Sequence, residues 1–439
     1  MKRLLFFFIF FQTYVGFYAQ KQAKGNLLPN LNASATHGYN FGRTLDPFTN
    51  EFASERVRSN QFGLQSGVTL FNGFQLVNSY KKAAITINKS KLELEKLQND
   101  ISLNVANAYL NILYNKEFLA IAERNIEATN QQFDLIQKQV NAGALPQGSL
   151  YEMEAQQAID EAAVINAENN LEMSFLILKQ LIQLEDEHFD VVTPEITNLS
   201  LDMMPSSSQG LVINAIENFP EIKALDQELL SANYGLKIAE GGRYPSLFLR
   251  YSLGTGYSGA RKMGVDPQLL SFPIGVLPSS GETILSFAQT QFSSFETQPF
   301  GDQLNENINH SLMLSLSIPV FNGWSTQNNI ERAKLNAVST DYRMQEAKQK
   351  LQQDVEKAWL DAKAAWKNFE SAQKSVQAAE KAFDYAQVKF DQGVINLVEY
   401  NLSRTQLDNM YAQLIRNKFE YVFKVKVLEF YQGKPISNF

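Results

Sequence analysis

Two long stretches of the chain carry an apolar residue at alternating intervals of four and three residues. The later stretch is Leu351–Phe390, where all twelve positions of the repeat are apolar. The earlier stretch is Ile101–Val140, where ten are apolar and the exceptions are Asn115 and Thr129. A seven-residue apolar repeat kept over about five heptads is typical of helices packed as coiled coils. We therefore predict a long helix around each stretch.

Each predicted long helix ends at a glycine and is followed by a second, shorter helix. Residues 74–141 and 325–392 are expected to form the long helices, which end next to Gly143 and Gly393. At ~1.5 Å per residue, a helix of this length reaches roughly 100 Å. The pattern predicts two antiparallel helical hairpins. They comprise residues 74–182 and 325–431, with the shorter helices near 150–182 and 397–431.

Four shorter segments alternate apolar and polar residues with period two. They begin at Leu31, Phe62, Leu247 and Leu312 and extend for about 9–11 residues, the length of a strand in a membrane β-barrel. They pair in sequence as two β-hairpins, at about 31–71 and 247–320. The segment 258–310 within the second hairpin is rich in Gly, Pro, Ser and Phe, and we expect it to form a long loop.

The two halves of the chain are copies of one unit. The segment Leu70–Phe74 recurs 250 residues later as Val320–Trp324. Upstream, the pattern Ala-x-Gly-x-x-x-Pro-x-Leu at 23–31 recurs at 239–247. Such self-similarity at a fixed offset indicates an internal duplication. The predicted organisation is a first repeat at 20–182, a linker at 183–210, a second repeat at 211–431 and a tail at 432–439.

The halves differ before their first strands. In the second repeat a helix is predicted at 211–240, ahead of Pro245. Pro29 lies only ten residues after Ala19 in the first repeat, so we expect no counterpart of that helix there.

The N-terminus predicts a secretory signal at 1–19. Lys2 and Arg3 precede the apolar run Leu4–Phe11, and Ala19 is a small residue suited to cleavage. The alternative is an anchoring helix, which Gln12 and Thr13 disfavour because they interrupt the run. We expect an exported protein without an apolar membrane-spanning helix.

Composition excludes several kinds of chemistry. The chain has no cysteine, and its formal net charge of −7 argues against a nucleic-acid partner. His37, His188 and His310 lie in unrelated segments, so no metal site is predicted. The Gly-x-Gly-x-x-Gly motif at 254–259 is not part of a βαβ unit, which a dinucleotide-binding site would require. We predict no catalytic residue, no cofactor and no enzymatic activity.

Four strands cannot form a closed membrane barrel by themselves. The smallest closed barrels use about eight strands, and an open sheet edge in lipid leaves unpaired backbone groups at a cost of several kcal/mol each. With threefold symmetry the strand count becomes twelve and every edge is paired. The pattern therefore predicts that the subunit borrows strands from copies of itself.

This combination resembles the TolC outer-membrane efflux family over about residues 21–433. The motifs are Leu-Pro-x-Leu at 28–31, Tyr-Pro-Ser-Leu at 244–247 and two Phe-Asn-Gly turns, at 71–73 and 321–323. The hairpin tips Val140–Pro146 and Phe390–Ile395 complete the resemblance. It implies a mainly α fold with a transmembrane β part. The duplicated unit would trimerise into a twelve-stranded β-barrel and a periplasmic α-barrel, with 183–210 and the C-terminal tail as an equatorial belt.

The resemblance also implies partners and site residues. It implies a homotrimer in the outer membrane of a Gram-negative bacterium, in contact with its lipid, a periplasmic adaptor and an inner-membrane pump. The candidate residues for constricting the pore are Glu399 and Glu152. The candidate adaptor-contacting tip residues are Gly143, Ala144, Leu145, Pro146, Gly393, Val394 and Ile395. The strand-to-helix turns are assigned to Asn72, Gly73, Asn322 and Gly323.

Two functions remain open at this point. One is a channel subunit of a tripartite efflux or type I secretion system that passively conducts substrates from the periplasm to the exterior. The alternative is a periplasmic coiled-coil structural or adaptor protein without a pore. The alternating strands favour the channel, because an adaptor is expected to carry a lipoyl-like β domain instead.

Overall fold

The computed structural model describes residues 15–46, 48–53, 56–184, 189–193, 199–200 and 204–434. The chain divides into two compact units, and each repeat contributes to both. One unit is helical and comprises Met1–Tyr18, Ala83–Asn233 and Leu335–Phe439. The other contains the strands and comprises Ala19–Lys82 and Tyr234–Lys334. Most of the predicted signal and His188 lie outside the described residues.

Eight helices are found among the described residues, and none combines the length and apolarity needed to cross a bilayer. They are α1 (15–25), α2 (Gln75–Asn141), α3 (Gln147–Ile182), α4 (Ser208–Asn218), α5 (Pro220–Gly241), α6 (Phe300–Glu306), α7 (Ser325–Asp391) and α8 (Leu397–Tyr431). α2 and α7 contain 67 residues each. α7 and α8 begin 250 residues after α2 and α3, so the offset read from the sequence also holds for the helices.

The strands form one four-stranded antiparallel sheet and three short ribbons. They are β1 (Asn30–Asn40), β2 (Thr44–Leu45), β3 (Phe52–Ala53), β4 (Val57–Asn72), β5 (Ser246–Ser258), β6 (Lys262–Leu270), β7 (Pro273–Val276), β8 (Thr283–Leu285), β9 (Gln289–Thr297) and β10 (Asn309–Ser317). The large sheet has the order β1-β4-β5-β10. β1 and β10 are its edges, and each is hydrogen-bonded to a strand on one side only.

The apolar repeats form the helix-packing surfaces of the helical unit. Every one of their positions, including Asn115 and Thr129, is buried or half-buried within a single chain. Ile112, Ile136 and Val355 are fully buried. One core cluster joins four helices, α4, α5, α7 and α8; it contains Leu211, Ala215, Ile222, Leu351, Val355, Ala362 and Leu428. The mainly α, duplicated architecture predicted from periodicity is therefore confirmed.

Three expectations from the sequence need correction. The single helix expected at 211–240 is replaced by α4 and α5, because the break at Phe219 is followed by Pro220, which has no N–H to donate and favours the first turn of a new helix. Residues 15–25 are helical, so a short helix does precede Pro29. The expected loop at 258–310 is largely folded, since β6 pairs with β9 and β7 pairs with β8.

Both connections from a strand to a long helix use left-handed backbone. Gly73 and Gly323 have φ of 63° and 62°, and the aromatic residues that follow them, Phe74 and Trp324, are also left-handed. The Asn72 carboxamide oxygen accepts a hydrogen bond from the Leu76 N–H at 3.3 Å. The two glycines differ in their surroundings. A Cβ on Gly73 would lie 2.2 Å from the carbonyl oxygen of Gly241, whereas a Cβ on Gly323 would meet open space.

We predict that Gly73→Ala destabilises the protein more than Gly323→Ala. At Gly323 only the left-handed conformation is penalised, at roughly 1–2 kcal/mol. At Gly73 the same penalty is joined by the steric clash with Gly241. The measurement is guanidinium unfolding of the detergent-solubilised variants, followed by far-UV circular dichroism. Equal midpoints for the two variants would contradict the close approach at Gly73.

Candidate functional site at the helical hairpin tips

The turns that end α2 and α7 have the same hydrogen-bonded geometry. At the first tip, the Ala144 N–H donates to the Gln139 carbonyl at 2.8 Å and the Gly143 N–H donates to the Val140 carbonyl at 2.9 Å. At the second tip, the Val394 N–H donates to Lys389 and the Gly393 N–H to Phe390, both at 2.8 Å. Gly143 and Gly393 have φ of 75° and 73°, so each tip is a Schellman motif that requires glycine.

The two tips share one apolar cluster within the helical unit. Its buried members come from α2, α3 and α8 and are Ile136, Met153, Leu397 and Tyr400. Leu145 and Ile395, one from each tip, pack against it together with Phe390. Phe390 stacks on Tyr400 with ring centroids 4.9 Å apart. The structure therefore brings the two predicted tips together through these side chains, while Ala144 and Val394 remain exposed.

The candidate acidic residues lie in the helices that follow the tips. Glu399 belongs to the first turn of α8, and its N–H donates to the Asn396 side-chain oxygen at 2.9 Å. Glu152 belongs to α3 and precedes the fully buried Met153. Both glutamate side chains are exposed, and neither appears in an ion pair among the described residues. Their carboxylates are thus available to an ion or a neighbouring chain.

A buried polar cluster lies farther along the same helices. Thr129 on α2, Asp160 on α3 and Arg404 on α8 are 0%, 9% and 8% exposed. The Thr129 hydroxyl contacts Asp160 Oδ2. Arg404 Nη1 donates to the Thr129 hydroxyl at 2.6 Å, and Arg404 Nη2 donates to the Asn125 carbonyl at 2.5 Å. The Arg404 guanidinium therefore links α8 to the first hairpin, formed by α2 and α3, through hydrogen bonds within the protein.

Comparison with known proteins identifies the family. The model of the family described as outer membrane efflux protein matches residues 15–182 and 211–422. The chain belongs to this family.

Relatives and solved structures agree with that assignment. The chain is 23% identical over 231 residues to the outer membrane efflux protein BepC of Brucella suis, covering 52% of this chain and 47% of BepC. It is 22% identical over 348 residues to the outer membrane protein TolC of Escherichia coli, covering 76% of this chain and 59% of TolC. It therefore spans about half to three-fifths of the length of these curated relatives.

The fold matches solved outer-membrane proteins at low sequence identity. A membrane protein from Pseudomonas aeruginosa superimposes with a TM-score of 0.76 at 17% identity, covering 98% of this chain and 87% of the other. The outer membrane protein VceC of Vibrio cholerae gives a TM-score of 0.74 at 14% identity, covering 98% and 92%. These matches establish the fold.

In this member of the family, the described parts of the linker are tied to the helices by side-chain hydrogen bonds. The Tyr109 hydroxyl donates to the Val192 carbonyl at 2.6 Å, and Tyr421 donates to Ser200 at 2.7 Å. The Trp359 indole N–H donates to the Pro205 carbonyl at 2.9 Å. The linker predicted at 183–210 is therefore held against α2, α7 and α8 where it is described.

Sequence reasoning missed the buried polar cluster. Thr129 was visible as a polar exception in the apolar repeat, and such an exception calls for polar partners. Asp160 and Arg404 had no comparable signal, because nothing local distinguishes them from solvated charges on a helix. Within the described residues, no group of three or more His, Cys, Asp or Glu side chains is arranged to hold a metal ion.

Burial raises the pKa of the Asp408 carboxyl above its ordinary value of 3.8. The nearby Arg404 charge and a hydrogen bond with Asn125 oppose this effect, whereas the charge of Asp160 adds to it. A carboxyl whose pKa is raised by folding binds its proton more tightly in the folded state than in the unfolded state. Stability therefore falls as the pH rises from 3.8 through the raised value.

We predict that Asp408→Asn stabilises the protein at pH 7 and that the gain disappears below pH 3.8. Asparagine cannot ionise, so the variant avoids the free-energy cost of a charged, half-buried carboxylate. In the wild type this cost exists only at a pH where the carboxyl is ionised. The measurement is the difference in guanidinium midpoint between variant and wild type at the two pH values. Asp384→Asn, at an exposed position of α7, is the control. An equal gain at both pH values would refute the assignment.

Proposed function

We propose that this protein is one subunit of a homotrimeric outer-membrane channel that passively conducts substrates from the periplasm to the exterior. The observation that carries the proposal is the four-stranded sheet with two unpaired edges, β1 and β10, in a chain of the outer membrane efflux protein family. Pairing β10 of one copy with β1 of the next, three times, closes a sheet of about twelve strands. The protein lies in the outer membrane in this proposal.

The helices supply the periplasmic part of the conduit. α2 and α7 are each about 100 Å long at ~1.5 Å per residue, which is sufficient to extend far beyond a bilayer. Large apolar side chains remain exposed on α7 and α8 of a single chain, among them Leu360 (59%), Tyr385 (73%) and Leu402 (71%). Packing against helices of neighbouring copies would bury such side chains, as expected for an α-barrel.

The tips are the proposed docking points for a periplasmic adaptor, which connects the channel to an inner-membrane pump. The residues assigned to this contact are Gly143, Ala144, Leu145, Pro146, Gly393, Val394 and Ile395. Val394 is 67% exposed, so it offers apolar surface that no part of the described chain covers. The energy for export comes from the pump in this proposal, because the conduit itself is passive.

Planar-bilayer conductance, with mass determination on the same detergent-purified preparation, tests the proposal. We expect a species of three subunits that produces discrete conductance steps. Trimers without discrete steps would contradict a conducting channel. A monomer that never enters the bilayer would instead support the periplasmic coiled-coil alternative.

We further propose that Glu399 constricts the pore and that Glu152 contributes less. Both carboxylates are exposed near the tips, and Glu399 lies only six residues after Gly393. A ring of three carboxylates would attract cations into the constriction.

Glu399→Gln is therefore expected to lower cation selectivity and weaken block by divalent cations, measured by reversal potential and single-channel block. Glu152→Gln, made in the same background, is expected to have a smaller effect. Unchanged selectivity and block in the Glu399→Gln channel would remove this residue from the constriction.

A further inference from the structure

Arginine and tyrosine side chains alternate in a row at one end of the four-stranded sheet. The row consists of Arg56, Tyr39, Arg58 and Tyr257, and we call it the Arg–Tyr strip. The Arg56 guanidinium carbon lies 4.8 Å from the centroid of the Tyr39 ring, and that of Arg58 lies 4.6 Å from the centroid of Tyr257. Tyr39 and Arg58 are directly paired across β1 and β4.

The strip lies on the apolar face of the sheet. Side chains two residues apart on a strand share a face, so Tyr39 shares its face with Leu31 on β1. Tyr257 likewise shares its face with Leu249 and Leu253 on β5. Strand pairing places Leu312 of β10 on this face too, because it lies opposite Tyr251. Leu31 and Leu312 are 68% and 72% exposed in the single chain. In a membrane barrel, this face contacts lipid, except at Tyr257, which is 7% exposed and packs against Phe300 of α6 with ring centroids 5.2 Å apart.

The position of Arg58 along β4 matches the height of the lipid headgroups. α2 begins directly after β4 ends, so Arg58 lies at the end of β4 that is remote from the start of α2. Between Val68 and Arg58 the same face carries no charged residue. These ten positions cover roughly 33 Å of strand, or about 25 Å of bilayer at a tilt of ~40°, which equals the usual apolar band. An arginine at that level costs only about 0–1 kcal/mol.

The guanidinium groups of the strip have no anionic partner among the described residues. Arg261, near the same end of the sheet, is already paired, with Nη2 2.7 Å from Glu306 Oε2 and Nη1 2.5 Å from Asn307 Oδ1. No described carboxylate lies within ion-pair distance of Arg56 or Arg58. Stacking on tyrosine engages the flat face of a guanidinium and leaves its N–H edge free for a bidentate anion.

We propose that the Arg–Tyr strip binds the phosphate groups of a phosphorylated glycolipid in the outer leaflet of the membrane. This inference rests on the proposed function, since it requires the apolar face of the sheet to contact lipid. Arg56 and Arg58 supply paired N–H donors to phosphate oxygens, and the tyrosine rings fix both guanidinium groups at the boundary of the apolar band.

Native mass spectrometry of the full-length protein tests the site. The probe is a glucosamine-disaccharide lipid A that carries two phosphates, titrated into wild type, Arg56→Gln/Arg58→Gln and Arg250→Gln. Arg250 is an exposed arginine on the opposite face of β5 and serves as the matched control. We expect the affinity for the phosphorylated lipid to fall by about tenfold or more in the double variant, which corresponds to the loss of at least one charge-assisted hydrogen bond. In the Arg250→Gln control, this affinity should stay unchanged.

Two further titrations identify the source of the phosphate. The same lipid without phosphates should bind the wild type as weakly as the phosphorylated lipid binds the double variant. Inorganic phosphate at millimolar concentration should not displace the phosphorylated lipid. Equal affinity of wild type and double variant, equal binding of the lipid without phosphates, or displacement by inorganic phosphate would each overturn the proposal.

Conductance and trimer mass are measured on the same preparations. A double variant that remains a conducting trimer is folded, so its lipid affinity tests the strip alone. A wild-type protein that binds lipid through the strip but never conducts would contradict the proposed channel and leave the lipid site standing. Failure of the inference and failure of the proposed function are therefore distinguishable.

Discussion

The two unpaired edges of the four-stranded sheet constrain everything else about this protein. β1 and β10 each expose a row of backbone N–H and C=O groups, and the sheet carries an apolar face. In hydrocarbon each unsatisfied group costs several kcal/mol, so an open sheet of this composition is stable in a bilayer only after closure with further strands. Duplication provides two hairpins per chain, and the proposed symmetric assembly would provide the remaining strands. The same assembly would bury the apolar side chains that a single chain leaves exposed on α7 and α8.

The long apolar repeat of the helical unit is interrupted at Thr129 by a buried polar cluster. Regular apolar seams pack well but can slip by a heptad, because successive heptads resemble one another. The cluster of Thr129, Asp160 and Arg404 occurs at one level only, so a shift of α8 along the first hairpin would leave a buried charge without partners. Removing one partner of a buried ion pair costs roughly 3–5 kcal/mol. We interpret the cluster as the feature that fixes the register between the first hairpin and α8 near the tips.

Local periodicity explains which parts of the fold could be predicted. The starts of α7 and β5, at Ser325 and Ser246, lie at or within one residue of the predicted positions, because each begins a pattern that persists for many residues. The break at Phe219 was missed, since one proline is a weak signal inside a longer apolar pattern. The ribbons within 258–310 were missed because prolines and glycines obscure their alternation. Arg404 and Asp160 come together only through tertiary packing, and a periodic pattern in the sequence cannot reveal such a contact.

The two halves of the duplication have diverged in ways that matter at the membrane boundary. In the alignment of the two repeats, Thr255 is equivalent to Tyr39 and Ile308 is equivalent to Arg58. Neither Thr255 nor Ile308 carries a charge or an aromatic ring, so the second repeat cannot build an Arg–Tyr strip of its own. Tyr257 completes the strip from the second repeat, because β5 pairs directly with β4. In a threefold barrel, three phosphate-binding strips would therefore alternate with three stretches whose arginine, Arg261, is already paired with Glu306. Such spacing would anchor the barrel at a fixed height through a few specific lipids while leaving most of its perimeter in ordinary contact with the bilayer.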